Sequence, residues 1–233
     1  MKKVVGIVAF VALLPATAFA GLGIKIPTAA STPSKPAGMS CDDDKGVEQA
    51  GKDMDEKAYN GLIGAETALM HVAEAAGKKD VAANAKANLD KWKEKEKAPS
   101  GLDRVKEVSK AAESIQKGAE EVGKTKLDDK GKTAIVEARK ELRMAVVYIA
   151  WAAKLGEPVP GNAKAAIEGS KACAAKVKGP VDAAAGVTSL LTNIKKTYTS
   201  VSDAAKKAGV PDMTDADKAS QDSSIGAPSG AGV

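Results

Sequence analysis

His71 is the only histidine in the sequence, and histidine is the side chain whose charge changes most readily near neutral pH. Glu66 precedes it and Glu74 follows three residues later, so a metal site can be drawn around it. Zinc, however, usually takes three or four protein ligands, and a catalytic triad needs a nucleophile beside its histidine. The sequence pattern indicates neither a set of zinc ligands nor a catalytic triad around His71. We therefore interpret His71 as an ordinary surface or boundary histidine, and we predict no catalytic residue and no metal ligand.

The acidic and glycine-rich segments do not indicate a cofactor site either. Asp42, Asp43 and Asp44 are consecutive, whereas a calcium loop alternates its acids around a central glycine. Three adjacent acids suit the start of a helix, where the macrodipole favours negative charge. The sequence has no haem-attachment motif, no paired Glu-x-x-His motifs and no phosphate-binding glycine loop. We expect no cofactor and no enzymatic activity.

Tyr148 and Trp151 are the side chains that most suggest contact with a partner or a membrane. They lie in the apolar segment 144–155, whose length and periodicity fit a central core helix equally well. The core interpretation is favoured, and the contact interpretation stays open. Both phenylalanines precede residue 21, so the later chain has few aromatic side chains to line a ligand pocket. The lysine- and glutamate-rich stretch 91–97 contains Trp92 and is interpreted as a solvated helix end.

The first twenty residues predict export. Lys2 and Lys3 precede the apolar run 4–14, which is shorter than the roughly 20 residues that span a bilayer. Small residues flank Phe19, and this pattern predicts cleavage between Ala20 and Gly21. We therefore expect a periplasmic or secreted protein with a signal peptide over residues 1–20.

Two cysteines, Cys41 and Cys173, follow the predicted cleavage site. An even number of cysteines in an oxidising compartment favours a disulfide over two free thiols. Cys41 lies too far beyond the apolar run to act as a lipoprotein anchor. The bond would close a loop of 132 residues and stabilise the fold by up to about 5 kcal/mol. It would also bring the start of the first helix close to the fifth helix, because bonded cysteines have Cα atoms within about 7 Å of each other.

The charge of the chain argues against a nucleic-acid partner. Loss of Lys2 and Lys3 with the signal peptide lowers the formal net charge from +5 to +3. The basic residues after position 20 are lysines apart from Arg104, Arg139 and Arg143. Arginine is the side chain that suits phosphate recognition best, so we interpret the lysine excess as a feature that favours solubility.

The apolar spacing predicts an all-α protein, an alanine-rich antiparallel bundle of five to six helices over residues 41–209. Apolar residues recur mostly at steps of three and four, and no alternation of period two competes. Residues 21–40 are expected to form a flexible linker and residues 210–233 a disordered tail. The last helix has a spacing close to a coiled-coil repeat, which suits its own core or a second copy in a homo-oligomer. The expected helices cover about 43–77, 80–97, 102–123, 129–155, 162–178 and 181–208.

The glycines inside the first expected helix have two interpretations. Gly51, Gly61 and Gly64 each cost about 1 kcal/mol relative to alanine in a helix. They either allow close contact with a neighbouring helix or lower the stability of the fold, and the sequence does not distinguish these alternatives.

These observations favour a non-enzymatic, exported helical-bundle protein that presents helix surfaces to an envelope or extracellular protein. Such a protein would act as a scaffold, an adaptor or a chaperone-like module. The alternative is a membrane-active or lipid-binding protein that uses segment 144–155 against a membrane surface. An enzyme is the least favoured of the three classes.

Overall fold

The structure of the protein is a computed structural model that describes residues 45–224. The all-α bundle is confirmed, and these residues contain no β-strand. The signal peptide (1–20), the linker (21–40) and Cys41 lie outside this range, as do residues 225–233. Two short 3₁₀ turns, at 95–97 and 171–173, interrupt the helical path. The α-helices are α1 (Lys45–Ala75), α2 (Lys79–Trp92), α3 (Gly101–Val122), α4 (Asp129–Gly156), α5 (Val159–Gly169), α6 (Ala174–Lys207) and α7 (Asp215–Ser224).

The four long helices do not all alternate in direction. Contacts of Gly61 with Ile149 and of Gly156 with Met54 show that α1 and α4 are antiparallel. In contrast, α3 runs in the same direction as α1, because α2 first returns the chain along α1. Helix α6 runs beside α3 in the same direction and antiparallel to α4. Helix α5 is short and lies against α1 and α6, so the first and fifth helices are in contact.

Small side chains form the central contact of the bundle. Alanines of α1 and α4 are fully buried, including Ala65 and Ala68 on α1 and Ala145 and Ala152 on α4. Such side chains let two helix backbones approach closely, and α1 and α4 form the most extensive helix pair in the described structure. The coiled-coil-like stripe of α6 faces this same core: Ala184, Leu191, Ile194 and Val201 are among its buried members. The core therefore consists of aliphatic and alanine side chains between packed helices.

The expected helix boundary at Gly179-Pro180 is wrong. The break lies earlier, at Ser170, and α6 continues through Pro180 to Lys207. A proline normally disrupts a helix interior because it lacks an N–H group. Here Pro180 lies within the second turn of α6, where its ring packs against Gly51 of α1. This tertiary contact accompanies the continuation of the helix across the proline.

The expectation of a disordered tail from residue 210 is also wrong for residues 210–224. Val210 and Met213 are buried, and α7 follows them. The Thr214 hydroxyl accepts from the Asp217 N–H, and the Asp217 carboxylate accepts from the Thr214 N–H. This reciprocal pair is a capping box, which stabilises the first turn of a helix. The low hydropathy of residues 210–224 predicted disorder, although the segment contains a well-capped helix.

Candidate interaction surface

The apolar segment 144–155 has two different faces in the folded protein. One face is core: Ala145, Ile149 and Ala152 are fully buried. The other face is partly exposed and consists of four large side chains with a 4-3-4 spacing, which we call the α4 seam: Met144, Tyr148, Trp151 and Leu155. At about 100° per residue, these four positions fall within about 60° of one another around the helix. Segment 144–155 therefore contributes both to the core and to the protein surface.

Tyr148 and Trp151 differ in their contacts with the rest of the protein. The ammonium group of Lys57, on α1, lies 4.1 Å from the centre of the Trp151 ring, which is a cation–π contact. The Tyr148 hydroxyl has no hydrogen bond to any part of the described chain, and partial burial raises the pKa of Tyr148. A phenol that is partly desolvated and unbonded favours a partner that supplies an acceptor or donor.

Ion pairs on α4 border the seam at its two ends. Lys140 Nζ lies 2.9 Å from the Glu137 carboxylate before the seam, and Lys154 Nζ lies 2.6 Å from Glu157 at its far end. An apolar centre with a polar rim is the usual arrangement of protein–protein contact surfaces. Sequence reasoning identified the two aromatic residues, but Lys57 is distant in sequence and was missed.

His71 lies on α1 with its Nδ1 atom 3.2 Å from the Glu74 carboxylate, and its side chain is 23% exposed. Glu141 of α4 is its other acidic neighbour; burial raises the pKa of Glu141, and the proximity of His71 opposes this rise. Within residues 45–224, no group of three or more histidine, cysteine or acidic side chains could hold a metal ion. Asp42, Asp43 and Asp44 lie before this range.

Cys173 is fully buried at the junction of the second 3₁₀ turn and α6. Its proposed partner, Cys41, lies before the described range, so the disulfide stays a prediction. The start of α1 does lie near this region, since Gly51 contacts Pro180.

A second polar cluster joins α1 to the α2–α3 connection, and sequence reasoning missed it. The Asp55 carboxylate accepts from the Gly101 N–H at 2.8 Å and pairs with the Arg104 guanidinium at 2.8 Å. Arg104 also donates to the carbonyl oxygens of Asp55 and Pro99. With only 3% of its side chain exposed, Arg104 has a structural role. The rarity of arginine in a lysine-rich chain could have predicted this buried cluster, because arginine is better suited than lysine to buried multidentate contacts.

A cleft of about 420 Å³ opens beside this cluster, between the first turns of α1 and α3 and the proline-containing turn of α6. Its charged groups already have partners. Glu48 pairs with Lys52 at 2.5 Å, Asp55 pairs with Arg104, and Asp182 pairs with Lys178.

No helix in the 45–224 region has the length and apolar character needed to cross a membrane. Comparison with protein-family models, curated proteins and solved structures found no match.

Proposed function

We propose that this protein is a non-enzymatic, exported helical bundle that binds an amphipathic helix of an envelope or extracellular partner protein along the α4 seam. In this role it acts as a scaffold or a chaperone-like module. The observation that carries the proposal is the arrangement of Met144, Tyr148, Trp151 and Leu155 in one partly exposed stripe.

The spacing of the seam supports a helical partner. Steps of four, three and four residues match the positions through which two helices interlock side by side. The segment from 144 to 155 is about 18 Å long, which corresponds to about three turns of a partner helix. A contact of this length buries a surface area near the lower limit for specific protein–protein interfaces, so we expect a reversible complex.

The side chains of the seam also suit partner binding. Trp and Tyr are the residues that most often dominate the binding energy at protein interfaces. Lys57 covers one side of Trp151, and an acidic residue on the partner would complement this charge. The seam therefore favours a partner helix with an apolar stripe and at least one acidic flank.

The test is affinity isolation from envelope fractions with two matched double variants. Tyr148→Ser with Trp151→Ser removes the centre of the seam. Leu102→Ser with Ile167→Ser removes two other large side chains, which are 39% and 37% exposed. We expect a co-isolated protein to be lost with the first pair of substitutions and retained with the second.

Three outcomes would contradict the proposal. The first is recovery of the same proteins, or of none, with both double variants. The second is loss of flotation with anionic liposomes in the Tyr148/Trp151 variant alone, which would favour the membrane-binding alternative. The third is a turnover activity that depends on His71, which would favour an enzyme.

A further inference from the structure

A second cleft, of about 340 Å³, lies at the end of the bundle where α3 and α6 end and α4 begins. We call it the lysine cleft. Its lining includes no acidic residue and four lysines: Lys124, Lys126, Lys132 and Lys207. The lysine cleft is remote from the α4 seam, since twelve helical residues, or about 18 Å, separate Lys132 from Met144.

None of the four lysines forms an ion pair with another part of the described chain. Their neighbours on the same end of the bundle behave differently: Lys206 lies 3.3 Å from the Asp212 carboxylate, and Lys78 lies 2.7 Å from that of Glu121. Four lysines that line one small cavity give it positive charge, and a bound anion would complement this charge.

Local structure determines where these lysines lie. After the last turn of α3, the Lys124 N–H and the Thr125 hydroxyl both donate to the Glu121 carbonyl oxygen, at 3.0 Å. The stem of Lys207 lies beside Gly123: a Cβ atom at position 123 would lie at an ordinary contact distance of 3.5 Å from the Lys207 Cδ atom. The turn and the end of α6 thereby contribute cations to one cavity.

We propose that the lysine cleft binds a phosphate-bearing ligand. Lysine ammonium groups act as compact point charges toward phosphate oxygens, and charge-assisted hydrogen bonds of this kind are about twice as strong as neutral ones. The cavity lies at the lower end of the volume range of small-molecule sites, which suits a diphosphate or a phosphorylated head group. This inference is independent of the proposed function of the α4 seam.

The experiment uses the chain from residue 21 to residue 233 and two probes. Inorganic pyrophosphate, followed by calorimetry, represents a soluble phosphate ligand. Vesicles of phosphatidylglycerol in phosphatidylcholine, followed by co-sedimentation, represent a lipid head group. The test variant is Lys124→Gln with Lys207→Gln. The control, Lys86→Gln with Lys91→Gln, removes the same charge from exposed positions of α2.

We expect at least one probe to bind, about tenfold more weakly to the Lys124/Lys207 variant and less than twofold more weakly to the α2 control. Lys124→Arg with Lys207→Arg should retain binding, which separates loss of charge from loss of folding. Binding should also fall as NaCl is raised from 50 to 500 mM, since salt screens exposed charges. Pyrophosphate binding alone would identify a soluble ligand, and vesicle binding alone would identify a lipid head group. The proposal is wrong if neither probe binds, or if both glutamine variants weaken binding equally.

Discussion

The basic side chains divide into two groups with different roles. Lysines lie mostly on the surface, and some of them pair with acids three or four residues away, whereas all three arginines are buried. Two of the arginines bind a segment outside the helices: Arg104 binds the residues before α3, and Arg139 donates to the Pro211 carbonyl at 2.5 Å. Arg143 binds Gln221 on α7. The buried arginines therefore attach two connecting segments and helix α7 to the rest of the bundle.

We predict that Asp55→Ala lowers the free energy of unfolding by about 3 kcal/mol, as expected when one partner of a buried ion pair is removed. Arg104 would keep its buried charge without the carboxylate, and the first N–H of α3 would lose its acceptor. Urea denaturation measures this change. Asp53→Ala is the control, because Asp53 only accepts an exposed hydrogen bond from Gln49. Equal stability of the two variants would show that the Asp55 cluster is dispensable.

Glu66 is a buried acid whose ionisation opposes folding. Burial raises its pKa above the ordinary value of 4.5, Glu107 raises it further, and a hydrogen bond from Asn88 opposes the rise. Because the folded state holds this proton more tightly than the unfolded state, its contribution to stability is greatest below pH 4.5. That contribution is lost as the pH rises through the folded-state pKa.

We therefore predict that Glu66→Gln is more stable than the parent protein at pH 8 by about 1 kcal/mol, a difference that disappears near pH 4. Glutamine remains neutral and can still bond to Asn88. Chemical denaturation across this pH range measures the difference, and Glu56→Gln on the exposed surface of α1 is the control. A constant difference at every pH would exclude the ionisation of Glu66 as its cause.

Two glycines of α1 allow its close approach to α4. A Cβ atom at position 61 would lie 2.5 Å from the Ile149 Cδ1 atom, and one at position 64 would lie 3.1 Å from the Glu141 carbonyl oxygen. Gly51 differs, since its added Cβ would meet Pro180 at an ordinary 3.4 Å. The structure thus resolves the two sequence interpretations in favour of close contact at Gly61 and Gly64.

We predict that Gly61→Ala destabilises the protein by about 1–3 kcal/mol, although alanine favours helices by about 1 kcal/mol. The cause is overlap with the fully buried Ile149 side chain. The double variant with Ile149→Ala should show a favourable coupling in a double-mutant cycle of melting experiments. Gly161→Ala is the control, because no atom lies within 4 Å of its added Cβ. Stabilisation by Gly61→Ala would contradict the proposed close packing.

Helix α7 is attached to the bundle by polar contacts to α4. Gln221 accepts from Arg143 and donates to the Lys140 carbonyl oxygen, while Arg139 holds Pro211 before the helix. Such contacts leave no apolar periodicity in the sequence, which explains why periodicity predicted a tail here. The capping pair Thr214 and Asp217 was the sequence feature that could have predicted the start of α7.

The architecture of the whole molecule was largely readable because helix-period apolar spacing is a direct consequence of burial on one face. The bounds of α3 and α4 agree with the expected helices to within one residue. The Gly-Pro step at 179–180 led to the wrong prediction of a helix end. The helix continues there, and Pro180 contacts Gly51 of α1.

The candidate sites were only partly readable, because they combine residues from different helices. Tyr148 and Trp151 were identifiable as aromatic side chains within one helix. The contact of Lys57 with Trp151 depends on the packing of α1 against α4, and the lysine cleft depends on the parallel course of α3 and α6. Local sequence patterns carry no information about such juxtapositions.

The most direct test of the central claim is site-specific photo-crosslinking in intact cells that make the protein. A photoreactive phenylalanine analogue replaces Trp151 in one variant and the exposed Lys117 of α3 in another. If the α4 seam binds a partner protein, only the Trp151 variant gives a discrete adduct that contains a second, different polypeptide. Adducts that are absent, purely lipid, or equal at both positions would contradict this function.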